Sequence, residues 1–98
     1  MRGMLTDKIQ EKAVLFLNRE ITQKELRLYQ YIDYSIKNGC YGWSYDKMDE
    51  EEIKILNKLY DEKHIVYYPD KIIVTRKFYN YIQDILATGY VEEFIRNE

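Results

Sequence analysis

His64-Ile65-Val66-Tyr67-Tyr68-Pro69-Asp70-Lys71-Ile72-Ile73-Val74-Thr75 is the stretch whose reading decides the fold. Two runs rich in β-branched and aromatic residues flank a Pro-Asp pair. Pro presets the backbone angle that a turn needs, and Asp bonds its own backbone. The pattern predicts a tight hairpin. Thr75 can then cap a helix over Arg76–Thr88, with Phe78, Ile82, Ile85 and Leu86 inward and Gly89 closing it. A last segment, Tyr90–Arg96, carries Tyr90, Val91, Phe94 and Ile95 at helical spacing.

Upstream of the hairpin, Asp49 and Glu52 have the spacing of a capping box, with Met48 and Ile53 as its hydrophobic staple. They predict a helix over Glu50–Lys63. Ile53, Leu56, Leu59 and Tyr60 would face the core, and Lys54, Lys58, Asp61 and Glu62 the solvent, with Asn57 near the border. Cys40–Met48 is short and aromatic and contains Gly42, the wording of a brief strand or extended loop. Before it, Thr22 and Glu25 again have capping-box spacing, stapled by Ile21 and Leu26, and open a helix over Gln23–Asn38. Leu28, Tyr29, Ile32 and Ile36 form its apolar set, and Asn38-Gly39 supplies the left-handed ending. Thr6 caps a first helix over Asp7–Arg19, whose stripe of Ile9, Ala13, Phe16 and Leu17 is widened by Val14 and Leu15. A face that broad is usually covered on two sides.

The order helix, short extended segment, helix, hairpin, helix resembles a winged helix-turn-helix domain over Thr22–Thr88. Leu59-Tyr60-Asp61-Glu62-Lys63-His64-Ile65-Val66 looks like a recognition helix passing into the first wing strand. Ile73-Val74-Thr75-Arg76-Lys77-Phe78 is similar to the return strand entering the following helix. The resemblance implies a winged core within 22–88 with a short two-stranded wing; with the N-terminal helix within 1–21 and the C-terminal segment within 89–98 read from their own spacing, the expected fold is α+β, mostly α. The resemblance also implies a DNA-binding role, with two departures. Only about Ser44–Met48 is left for the first helix of the helix-turn-helix. The recognition helix opens with Asp49-Glu50-Glu51-Glu52, where base edges would be met. Those acids suit the helix dipole and would repel phosphates.

Composition sets the outer limits. In 98 residues, 46% hydrophobic and 33% charged, there is core enough for one domain. Fifteen basic against seventeen acidic residues give a net charge of -2, so any nucleic-acid contact must come from a local patch. The longest apolar run, Ala13–Leu17, is far short of the roughly 20 residues of a membrane span, and Met1-Arg2-Gly3-Met4 does not lead into a signal core. A soluble, cytoplasmic chain is expected. Cys40 and His64 are the single cysteine and single histidine, too few for an internal disulfide or a metal site of familiar spacing; no cofactor is expected. Eleven tyrosines suit half-buried positions and interfaces. Isoleucine is abundant and Ala13 and Ala87 are the only alanines, a usage that resembles AT-rich coding and, by analogy, a plasmid- or phage-encoded regulator or origin-binding factor.

Charge by segment is +2 over 1–45, -3 over 46–64 and -1 over 65–98. The expected DNA contacts are Lys24, Arg27 and Lys37 around the second helix and Lys71, Arg76 and Lys77 at the wing and after it. Tyr68 stands beside Lys71, and Lys54, Asn57 and Lys58 are secondary contacts on the third helix. Phosphate contacts of this kind give position and affinity, while a groove-inserted wing reads width or edges. Val14, Leu15, Tyr90, Val91, Phe94 and Ile95 are expected to dimerise the chain, matching a repeated or palindromic site. No Gly-rich phosphate loop or nucleophile with a neighbouring base is visible, so an enzyme is not expected. The alternative is a winged module that binds another protein through its Tyr-rich, acidic faces.

Overall fold

Each helix begins where a side chain satisfies its first free amides. The computed structural model describes residues 5–39 and 43–96. In α1 (Asp7–Leu17) the Thr6 side chain accepts from the Ile9 amide, and Asn18, left-handed at φ 61°, ends the helix before the expected Arg19. In α2 (Gln23–Lys37) the Thr22 hydroxyl accepts from the Glu25 amide at 3.1 Å, and Gly39 at φ 63° turns the chain away. The expected capping box there is only half formed, because the Glu25 carboxylate is drawn into the interior instead. In α3 (Glu50–Asp61) both halves of the Asp49/Glu52 box are made.

The end of α3 comes two residues before the expected Lys63. His64 N–H donates to Leu59 O and Lys63 N–H to Tyr60 O, with Lys63 left-handed at φ 67°. That is the double bond pattern which usually recruits glycine. It points the chain into β1 (Ile65–Tyr68), which pairs antiparallel with β2 (Lys71–Val74) across the Pro69-Asp70 turn. The register sets Ile65 opposite Val74 and Tyr67 opposite Ile72 on the inward face. Val66 opposite Ile73 and Tyr68 opposite Lys71 lie on the outward face.

Thr75 caps α4 (Arg76–Arg96) by accepting from the Phe78 amide at 3.1 Å. The expected stop at Gly89 does not occur. The helix runs through it, since an interior glycine costs only about 1 kcal/mol and the sequence after it keeps helical spacing. Among the described residues the protein is a mostly helical α+β structure of four α-helices and one two-stranded sheet. Of the expected extended segment, Trp43–Met48 forms a loop and a single 3-10 turn at Tyr45–Lys47, and Cys40–Gly42 lies outside the described residues.

The core joins Ile9, Ala13 and Leu17 of α1 to Leu28, Tyr29 and Ile32 of α2, and to Leu56, Leu59, Ile65, Ile72, Phe78, Ile82 and Ile85. Tyr60, expected inward, is half exposed, because Leu56 and Leu59 already occupy the inner face of α3. Val14 and Leu15 also stay outside. Within the core, the buried Glu25 carboxylate receives both terminal nitrogens of Arg19, at 3.0 and 3.2 Å, and the Tyr29 hydroxyl at 2.5 Å. Arg19 also donates to Glu62 at 3.2 Å, and the Tyr81 hydroxyl lies 3.2 Å from that of Tyr29. The network around Glu25 thus ties the α1–α2 link to α2 directly, to the end of α3 through Arg19 and to α4 through Tyr29.

Candidate nucleic-acid interface

Trp43 holds the hairpin against α2, and Tyr67 holds it against α3. The Trp43 indole N–H donates to the Tyr68 carbonyl at 3.0 Å, and its ring stacks on Tyr31, whose hydroxyl accepts from the Ser44 amide. Tyr67 reaches from β1 to α3, where its hydroxyl donates to Asn57 Oδ1 and its ring meets Tyr60 edge-on at 6.4 Å. With its oxygen engaged, Asn57 has no partner for its amide donors among the described residues.

On the outer face of α3, Lys54 and Lys58 are exposed one turn apart on either side of Asn57. Neither has an acidic partner among the described residues. At the hairpin tip the Lys71 ammonium lies 4.9 Å from the centre of the Tyr68 ring, its cross-strand partner, and both are exposed. Cation over ring is a favourable pairing that leaves the charge open to solvent.

The start of α3 differs. Lys24 Nζ lies 2.6 Å from Asp49 Oδ2 and 3.3 Å from Glu51 Oε2. The hydrogen bond to Asp49, with Glu51 adding to it, raises the Lys24 ammonium above its ordinary value. The same bond, followed by the Glu52 amide, holds the Asp49 carboxyl below the usual range. Lys24 is therefore engaged within the protein. Arg27, one turn along α2, is exposed and has no acidic partner among the described residues.

The remaining expected contacts are dispersed. Lys37 ends α2, roughly 20 Å along the helix from Lys24 at 1.5 Å per residue, and is held by Asp33 at 3.1 Å and Gln83 at 3.3 Å. Arg76 and Lys77 are exposed in the first turn of α4, past the hairpin base, and Lys77 borders a groove against α1. The structure thus brings Lys54, Asn57 and Lys58 together with Tyr67, places Tyr68 and Lys71 at the tip, and leaves Lys37 and Lys77 apart. Of the expected dimer contacts, Val14 and Leu15 are exposed, at 42% and 87%. The side chains of Tyr90, Val91, Phe94 and Ile95 lie outside the described residues.

Sequence reasoning missed Trp43, Tyr67 and the Glu25 network. Strand alternation turns Tyr67 inward, which is readable, but its bond to Asn57 depends on how α3 crosses the hairpin. A further groove, about 470 Å³, is bordered by Tyr60, Lys63, Val66, Ile73 and Thr75. His64, at its edge, packs between Phe16 and Phe78 with ring centres 4.9 and 5.4 Å away, and burial lowers its pKa from the ordinary value. Among the described residues no helix is long and apolar enough to cross a membrane, and no His/Cys/Asp/Glu cluster could hold a metal ion. No family model, curated protein or solved structure matches the chain.

Proposed function

We propose that this chain is a winged helix-turn-helix domain that binds a specific double-stranded DNA site, with β1–β2 as the wing and α3 as the recognition helix. The observation that carries the reading is a group of cations on one structural unit that have no acidic partner among the described residues. Lys54 and Lys58 flank Asn57 on α3, Tyr67 links that face to the hairpin, and Lys71 stands at the tip. Lysines at phosphates supply position and affinity, and the Asn57 amide donors and the wing tip supply contacts to groove edges. The middle of α3 and the wing, rather than its acidic start, meet the DNA in this reading, because Asp49 and Glu51 would be repelled by phosphates.

The test is selection from random duplex DNA, followed by anisotropy titration of the selected site and a scrambled control across a salt series. Enrichment of one motif, with a log–log salt slope of roughly 0.9 for each of several phosphates, supports the reading. No enrichment at low salt overturns it. The second reading is a domain that binds protein through the outward hairpin face, favoured by the exposure of Tyr60, Val66 and Ile73 at 51%, 41% and 54% around one groove.

A further inference from the structure

We infer that the face formed by α1 and the first turns of α4 is where two copies of this chain meet. Leu15 is 87% exposed, far more than any other large hydrophobic side chain among the described residues, and Val14 beside it is 42% exposed. Next to that ridge is a groove of about 420 Å³ bordered by Lys12, Leu15, Phe16, Lys77, Tyr81 and Asp84. Phe16 and Tyr81 stack as its floor, ring centres 4.4 Å apart and planes 6° from parallel. A projecting leucine and an aromatic-floored groove therefore lie side by side on one face.

That juxtaposition selects the occupant. In a twofold contact the same patch serves both subunits, so a ridge beside a groove complements a rotated copy of itself. Each Leu15 enters the other copy's groove. The charges agree with this pairing. Lys12 and Asp84 neutralise each other on the rim at 2.7 Å. Glu11, one turn before Leu15 on the same helical face, and Lys77, on the groove's border, are exposed and have no ion-pair partner among the described residues. The twofold brings Glu11 of one copy to Lys77 of the other, twice over. Lys77 then belongs to this contact rather than to DNA.

The contact stands apart from the DNA reading and is tested without DNA. Sedimentation equilibrium is run on the 12.0 kDa chain, on Leu15→Asp, on Glu11→Lys and Lys77→Glu singly, and on the double reversal. The parent chain is expected at twice the chain mass and Leu15→Asp at the chain mass. Each single reversal should weaken the dimer at least about tenfold and the double reversal should recover most of the loss. Circular dichroism confirms that the exposed substitutions leave the fold intact. A parent chain that stays monomeric at roughly 100 µM, weaker than a specific dimer of ordinary interface size, overturns the proposal and leaves this face to a different partner. A dimer that survives Leu15→Asp, or a double reversal as weak as the singles, overturns it as well.

Discussion

Lys24 Nζ sits 2.6 Å from Asp49 Oδ2, so the cation of α2 best placed to meet a phosphate near the start of α3 is already bound to the acid that caps that helix. The Glu51 side chain shares it at 3.3 Å without taking part in the capping box. Glu51→Gln should therefore remove a repulsive charge and loosen Lys24 while the Asp49/Glu52 box holds the helix. The expected outcome is DNA affinity higher by about threefold to tenfold and a log–log salt slope steeper by up to about 0.9. Anisotropy titration reads both, and adding Lys24→Ala should remove the part of the gain that comes from the loosened lysine, including the steeper salt slope.

At the opposite end of the proposed interface, the Lys71 charge over Tyr68 is open to solvent. Lys71→Glu should weaken binding to the selected DNA at least tenfold, about 1.4 kcal/mol. Unchanged affinity would remove the hairpin tip from the interface.

The buried anion makes a stability prediction. Glu25→Ala strips Arg19 of two hydrogen bonds and Tyr29 of its acceptor. Breaking a buried pair in this way costs about 3–5 kcal/mol, read as a lower urea midpoint. Tyr29→Phe removes only one donor from Glu25 and should cost about 1–3 kcal/mol.

Lys63 is expected to be a site where the natural residue is the less stable choice. Its φ of 67° carries a penalty of about 1 kcal/mol for a side chain with Cβ that glycine does not incur. Lys63→Gly should raise the melting temperature by up to about 2–4 °C, net of the roughly 0.5 kcal/mol or more that glycine's greater freedom costs when unfolded.

His64 sets a pH dependence of known sign. Burial lowers its folded pKa below the ordinary 6.5; Glu62 opposes that shift and Arg19 reinforces it. The unfolded chain therefore binds the proton more readily. The stabilisation is full above about pH 6.5 and declines as pH falls through that value toward the lower folded pKa. Urea midpoints measured from about pH 8 down to about pH 5 should show the decline, and His64→Gln should flatten it.

Much of the fold was legible because its signals are local. Thr6, Thr22, Asp49 and Thr75 all cap as their spacing requires, and Pro69-Asp70 makes the turn between the two expected strands. Errors arose where a local signal competed with a distant partner. Glu25 has the spacing of a capping glutamate, yet Arg19 and Tyr29 offer a buried carboxylate stronger bonds than one backbone amide. Gly89 reads as a stop only if nothing after it favours helix. The candidate interface was legible as a set of cations but not as a surface. No periodicity reveals that Lys24 folds back on Asp49, that Lys37 is held at the far end of α2, or that Tyr67 reaches Asn57.

Trp43 gives the hairpin a built-in optical reporter. It is the only tryptophan in the chain, its indole N–H is spent on the Tyr68 backbone, and its ring lies against Tyr31. Any event that lifts the hairpin from α2 must free that indole to water, so the emission of one native fluorophore follows the posture of the hairpin without a label.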